Sequence, residues 1–281
     1  TVCDKYLTLT LAEQDGQRAV ATLNRAALRA IAQLRSVGGC RGSKLNRAER
    51  LKVLHRVLRP GVRFTFDEDA FSRSRGLCTK DCVAPYAIDT GDRRRVKLCS
   101  GTRETWHQCL MVRDFPEWLS DQLVASLTDI KADIIVSVHL RPHAKAEGLR
   151  LVNRKIAEMD MQAIDERRRN RRQHLPEDLL PHDLEESMGQ ASELRRDLEH
   201  NGDRLMDTLM VIDAAADSPE RLAQVVREVE STVDGQSCVA ESLTYMQVEG
   251  LNAALPLGNP LPPMRRTLTT SSAAILVPFT S

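Results

Sequence analysis

Residues 133–141 read Asp-Ile-Ile-Val-Ser-Val-His-Leu-Arg, and residues 205–213 read Leu-Met-Asp-Thr-Leu-Met-Val-Ile-Asp. In the first, Ile134, Val136, Val138 and Leu140 fall on one side and Asp133, Ser137 and His139 on the other, the two-residue period of a half-buried strand. Between the two segments, Leu149, Val152, Ile156, Met159 and Ala163 recur at spacings of three and four. Leu184, Met188, Ala191, Leu194 and Leu198 repeat that pattern after Pro176 and Pro181. Two matching apolar seams joined by a short proline-marked turn predict an antiparallel helical hairpin over 143–202. Beyond it the pattern predicts a strand at 205–213, a helix at 219–233 and a strand at 238–245. Ser218 before Pro219 supplies the N-cap and the proline at the first helical position. The order β-αα-β-α-β predicts an α+β fold: a mixed or antiparallel sheet, helices packed on one face, and the long hairpin.

Upstream, the signals are of mixed kind. Lys5–Leu11 alternates Tyr6, Thr8 and Thr10 with Leu7, Leu9 and Leu11, a strand pattern. Val20, Leu23, Ala27, Ile31 and Leu34 mark an amphipathic helix within 13–35, which Gly38, Gly39 and Gly42 end. Asn46 with Glu49 three residues on reads as a capping box, opening a helix with Leu51, Leu54 and Leu58 on one face. The first sixty residues therefore read as β-α-β-α. Residues 62–112 read as hairpins and loops with strand-like runs at 95–99 and 106–112. Pro116 opens a helical segment carrying Trp118, Leu119, Leu123 and Leu127. The division this suggests is 1–115 and 116–281, with a single compact domain as the alternative.

Composition narrows the function classes. The 281 residues carry 40 Lys+Arg and 39 Asp+Glu, a net charge of +1, which argues against a general nucleic-acid coat protein because neutralising phosphates needs a cationic surplus. Aromatics at 4% leave few stacking platforms for single strands. No run approaches 18 apolar residues, so no transmembrane span is expected, and no charged head followed by an apolar block opens the chain. Seven scattered cysteines fit reduced thiols in the cytosol. The chain begins with Thr1 rather than Met and stops just after Ile275–Phe279, so the expectation is a fragment of a longer protein.

No catalytic constellation emerges. The string Gly38-Gly39-Cys40-Arg41-Gly42-Ser43-Lys44 has the wrong residue order for a phosphate loop and follows a helix instead of a strand, so it reads as a turn. Cys78, Cys82, Cys99 and Cys109, with His107, offer tetrahedral zinc ligands, with His107 and Cys109 on one strand face. The competing reading is buried, unliganded thiols. His139 reads as a hydrogen-bonded or exposed histidine, and Asp183 after His182 as a helix cap. The conspicuous charge feature is Arg167, Arg168 and Arg169, then Arg171 and Arg172 around Asn170. Such a run docks an acidic protein partner, grips nucleic acid or lipid phosphates, or is neutralised by Glu177, Asp178, Asp183, Glu185 and Glu186 across the hairpin.

Three strings carry a resemblance: Leu45-Asn46-Arg47-Ala48-Glu49-Arg50-Leu51-Lys52-Val53-Leu54-His55 with Pro60-Gly61; Glu249-Gly250-Leu251-Asn252-Ala253-Ala254-Leu255-Pro256-Leu257-Gly258; and Arg266–Ile275 running to Pro278-Phe279. In that order they resemble the region N-terminal to the motor in conjugative type IV secretion ATPases. These are the TraC/TrbE/TraE-like energisers of mating machines, and the branch on integrative conjugative elements is the most similar. The resemblance implies a non-catalytic domain, with the ATP and Mg²⁺ sites of the motor lying beyond Ser281. It implies inner-membrane subunits of a conjugation machine as partners, self-association of the full-length protein, and a place on the cytoplasmic side of the membrane. Read without the resemblance, the alternative is a nucleic-acid-binding module of a mobile element using Arg167–Arg172.

Overall fold

A computed structural model of the chain describes residues 3–37, 40–74, 76–116, 118–174, 176, 179–260 and 262–277. Helix α1 (Gly16–Ser36) begins where the Asp15 side chain accepts from the amides of Gln17 and Arg18. Helix α2 (Arg47–Leu58) begins on the expected capping box: Asn46 Oδ1 accepts from Glu49 N at 2.9 Å, and Glu49 Oε2 accepts from Asn46 N at 2.7 Å. Two short helices follow, α3 (Glu68–Arg73) and α4 (Thr79–Val83).

The strand expected at 5–11 does not form. Thr8 Oγ1 donates to Pro256 O and Thr10 Oγ1 to Gly258 O, an advance of two residues on each side, so this segment runs extended beside 256–258. It joins no ladder, because only hydroxyls and no backbone amides face the neighbouring chain. Among the described residues the first sixty are therefore two helices, not β-α-β-α; Gly38 and Gly39 lie outside those residues.

The sheet assembles from β1 (Ala87–Asp89), β2 (Val96–Ser100) and β3 (Arg103–Asp114), then β4 (Asp133–Pro142) after helix α5 (Gln122–Asp129). Hairpin helices α6 (Lys145–Arg172) and α7 (His182–His200) intervene before β5 (Leu205–Ala216). The chain closes with α8 (Pro219–Asp234), β6 (Val239–Ser242), α9 (Gln247–Ala254), β7 (Arg266–Thr269) and α10 (Thr270–Ile275). The strand order is β1-β2-β3-β5-β4; β6 also pairs with β3 and β7 with β5, and every pairing is antiparallel. Strands β2 and β3 are joined at Gly101, whose φ of 70° is a conformation open to glycine at little steric cost. The sheet takes strands from both sides of residue 115.

The α+β class holds as expected, but helices cover both faces of the sheet rather than one, because the central strands are apolar on both sides. On one face Leu110, Val112, Met210, Ile212 and Ala214 pack under Leu123 and Leu127 of α5 and Leu222, Val229 and Val233 of α8. On the other, Cys109, Met111, Leu209 and Val211 join Val96 and Leu98 beneath Leu251, Ala253 and Ala254 of α9. Central strands buried on both faces explain why residues 209–212 read as a continuous apolar run rather than an alternation. Gly250 sets how closely α9 approaches. A Cβ there would lie 2.6 Å from Cys109 Cβ and 2.7 Å from Leu243 Cδ1, so the helix rests on β3 only because residue 250 has no side chain.

Other boundaries shift. The helix expected from Pro116 begins at Gln122, leaving Trp118 outside it and 86% exposed. The strand expected over 238–245 narrows to Val239–Ser242 before a turn with Tyr245 at φ 67°. Helices α9 and α10 and strand β7 come from stretches too short for periodicity to reveal. Among the described residues, no helix is long and apolar enough to cross a membrane.

Candidate interaction site at the hairpin tip

Helix α6 has 28 residues and so extends about 42 Å at the usual rise per residue. Both expected seams meet. Val152, Met159 and Ala163 are buried on α6 and Leu198 on α7, while Ile156, Leu184, Met188, Ala191 and Leu194 are half-buried. The arm engages the sheet at its root. There Val152, Leu198 and Leu205 form a small cluster of their own, and Gly148 lets Leu205 approach the α6 backbone. Lys145 Nζ donates to Glu199 O at 2.9 Å, and His143 Nε2 lies 2.7 Å from Asp207 Oδ1. The hydrogen bond to Asp207 outweighs burial and holds the His143 pKa above its ordinary value.

The tip places the arginine run. Asn170 is buried and its amide donates to Leu179 O at 2.6 Å, tying α6 to the segment that returns toward α7. At about 100° per residue, Arg167, Arg168, Arg169, Arg171 and Arg172 then sweep an arc of roughly 200° on the sides away from Asn170. All five are exposed. They sit in the last turns of α6, where the helix dipole favours cations. Arg168 pairs with Asp165 at 3.6 Å and Arg169 with Glu166 at 3.2 Å, both within the same helix, with the two arginine side chains 71% and 67% exposed. Exposed pairs of this kind contribute at most about 0.5 kcal/mol, so these guanidiniums exchange partners readily. Of the acidic stretch expected to neutralise the run, Glu177 and Asp178 lie outside the described residues. Asp183 and Glu185 occupy the first turn of α7, whose N-cap is Pro181 rather than Asp183.

The sulfur and imidazole groups do not converge as a zinc site would require. Cys99 lies across from Glu104, so it projects from the sheet face opposite to Cys109. Cys78 is an exposed N-cap and Cys82 lies on α4. Among the described residues, no group of three or more His, Cys, Asp or Glu side chains is arranged to hold a metal ion. His107 and Cys109 do share a face, and the residue they share it with is Asp213. His107 Nδ1 lies 2.9 Å from Asp213 Oδ2, and Cys109 Sγ donates to Asp213 Oδ1 at 3.4 Å. Burial and the Asp213 charge push the Cys109 thiol well above its ordinary range, so it stays protonated and weakly nucleophilic. For His107, burial pulls the pKa down, but the charge and hydrogen bond of Asp213, with help from Asp133, raise it overall. Among the described residues, His107 Nε2 has no hydrogen-bond partner. Asp213 escaped the sequence reading, although an acid inside the apolar run 209–216 was its visible signal.

Beside this cluster, Gln247 repairs the sheet. Its Oε1 accepts from Cys109 N at 2.7 Å and its Nε2 donates to the carbonyls of Cys109 and Leu243, each at 3.1 Å, filling the gap between β2 and β6 along β3. His139 Nε2 contacts Ala253 O at 2.8 Å and is pinned under α9. The Gly42-Ser43-Lys44 turn folds back on α1: Gly42 abuts Leu34 and Ile31, and Lys44 Nζ donates to Asn24 Oδ1 at 2.6 Å. No family model matches the chain, and no curated protein matches it.

Proposed function

We propose that this chain is a non-catalytic docking and assembly module of a conjugation (type IV secretion) motor. The observation that carries this reading is the five-arginine arc, exposed at the end of a self-packed arm about 42 Å long that is anchored to the sheet at its root. An arm of this build sets a charged tip at a distance from the body, which suits recognition of an acidic surface. Guanidinium forks pair with carboxylates in bidentate geometry. The three strings quoted above support the assignment to a conjugation motor. In the fold they form the capped α2, the close-packed α9 and the β7–α10 turn, which are framework rather than a site. The buried His107–Asp213–Cys109 cluster supports a structural role in the same way, since a sealed, protonated thiol is poor chemistry. On this reading the partners are inner-membrane subunits of the conjugation machine and neighbouring protomers, at the cytoplasmic face. ATP and Mg²⁺ belong to a motor domain elsewhere in the protein.

The test is binding of the purified chain to the inner-membrane subunits of its own transfer system, compared with a variant in which Arg167, Arg168, Arg169, Arg171 and Arg172 are Ala. Loss of at least tenfold in affinity with an unchanged fold is the expected result; no binding by the native chain overturns the reading. The exposed guanidiniums also match phosphates, which keeps a nucleic-acid module of a mobile element as the second reading. That reading requires duplex DNA binding that weakens with salt by a log–log slope of about −0.9 per phosphate contacted, and that the same variant abolishes.

A further inference from the structure

We propose that residues 5–11 of one copy add as a strand to the open edge of β4 in a second copy, reciprocally, giving a strand-exchanged dimer. The acceptor is plain in the topology. Strand β4 ends the sheet order, and among the described residues it pairs only with β5. Its outer edge presents Ile134, Ile135, Val136, Ser137 and Val138, all half-buried, with no charge or proline until Arg141 and Pro142. Natural edges are defended by charged side chains, proline, bulges or brevity, and between Asp133 and Arg141 this edge carries no Lys, Arg, Asp, Glu or Pro, which makes it a strand-pairing template.

The donor lies in the same molecule. From Tyr6 to Leu11 no backbone amide or carbonyl bonds to any described residue, and Leu7, Leu9 and Leu11 are 66%, 41% and 42% exposed. An alternating leucine row turned to solvent is half of a strand pairing. The segment is held at its own body by the two threonine hydroxyls and by the Asp4–Arg56 pair at 2.7 Å, and in that position it leaves its own β4 edge open.

Two observations select a second copy as the occupant. First, donor and acceptor lie on one side of the molecule. His139 on β4 contacts Ala253 O, and the chain runs from there directly into Pro256–Gly258, which holds Thr8 and Thr10. A two-fold interface needs one patch that carries both complementary parts, and this patch does. Second, the charges match in register. Lys5 and Glu13 are separated by the same number of residues as Asp133 and Arg141. A parallel pairing that sets Lys5 across from Asp133 sets Glu13 across from Arg141. Thr8 and Thr10 then flank Val136 and Val138, and Leu7, Leu9 and Leu11 lie on the face of Ile135, beside α9. Helix α1 travels with the arm and brings the exposed Val20 and Leu28.

The proposal is independent of what the hairpin tip binds, and the two fail separately, because the five-alanine tip variant should dimerise as the native chain does. Sedimentation of the full chain over a wide concentration range is expected to show a monomer–dimer equilibrium. Leu9→Pro, at a position with no backbone bond in the monomer, should abolish the dimer without changing thermal unfolding of the monomer. Glu13→Arg and Arg141→Glu should each weaken association by about fivefold or more, and the double variant should restore it. A monomer at all concentrations overturns the proposal, as does a dimer indifferent to Leu9→Pro or charge swaps without rescue. A monomer whose residues 6–11 resist amide exchange also overturns it, by showing the arm closed on its own edge.

Discussion

His107 and Asp213 meet across the two central strands, Nδ1 to Oδ2 at 2.9 Å, with 2% and 1% of their side chains exposed. The His107 pKa is raised above its ordinary value of 6.5 despite burial, because Asp213 favours the imidazolium. A group whose pKa is higher folded than unfolded stabilises fully below its unfolded pKa, and the effect fades as pH rises through the folded one. Urea midpoints of the native chain should therefore fall as pH increases above about 6.5. Asp213→Asn should flatten that dependence and cost about 1–3 kcal/mol, since the buried imidazole then sheds its proton and loses its charge-assisted hydrogen bond.

Cys109 gives a second reading of the same cluster. Its thiol is sealed and held protonated, and Cys238 is buried with its pKa also pushed up by desolvation. Cys3 and Cys78 are exposed. Alkylation of the native protein followed by peptide mapping should modify Cys3 and Cys78 rapidly and leave Cys109 and Cys238 unmodified until urea unfolds the chain. Rapid native labelling of Cys109 would show that the face under α9 opens to solvent.

The seat of α9 should be intolerant of small changes. Gly250→Ala drives a methyl group into Cys109 and Leu243, and overpacking of this kind costs about 1–3 kcal/mol. Gln247→Leu leaves the Cys109 amide unpaired in a buried site, while its carbonyl keeps the Leu243 amide, and the loss costs about 1–3 kcal/mol. Chemical denaturation of the two variants checks both. A change below about 0.5 kcal/mol in either would mean that α9 shifts freely on β3.

Legibility followed length and periodicity. The hairpin was readable because two long seams survive on its helices, and Asn46–Glu49 and Ser218–Pro219 because capping chemistry is local. The Tyr6–Leu11 pattern was read correctly as extended chain and wrongly as a sheet strand. Alternation reports a backbone conformation, whereas pairing depends on what lies alongside, here the 256–258 segment reached only through Thr8 and Thr10. The His107–Cys109 face was visible from strand parity. The register that brings Asp213 to it was not, because it depends on a pairing between strands about a hundred residues apart, and the Cys99 projection to the other face depends on the register of the β2–β3 hairpin.

The arginine run offers the sharpest separation of structure from binding. Within 167–172 only Asn170 is buried, and its amide bond to Leu179 O closes the tip. Among the described residues, Arg168 and Arg169 pair with Asp165 and Glu166 of their own helix, with both guanidiniums exposed. Single alanine substitutions at Arg168 and Arg169 should therefore leave the unfolding free energy within about 0.5 kcal/mol of native, while Asn170→Ala should cost about 1 kcal/mol by loosening the turn. Partner binding should show the reverse order, falling with each arginine removed and surviving at Asn170 as long as the tip stays folded. Equal losses of stability across all of these positions would mean that the arginines hold the hairpin together, and the docking assignment would lose the feature it rests on.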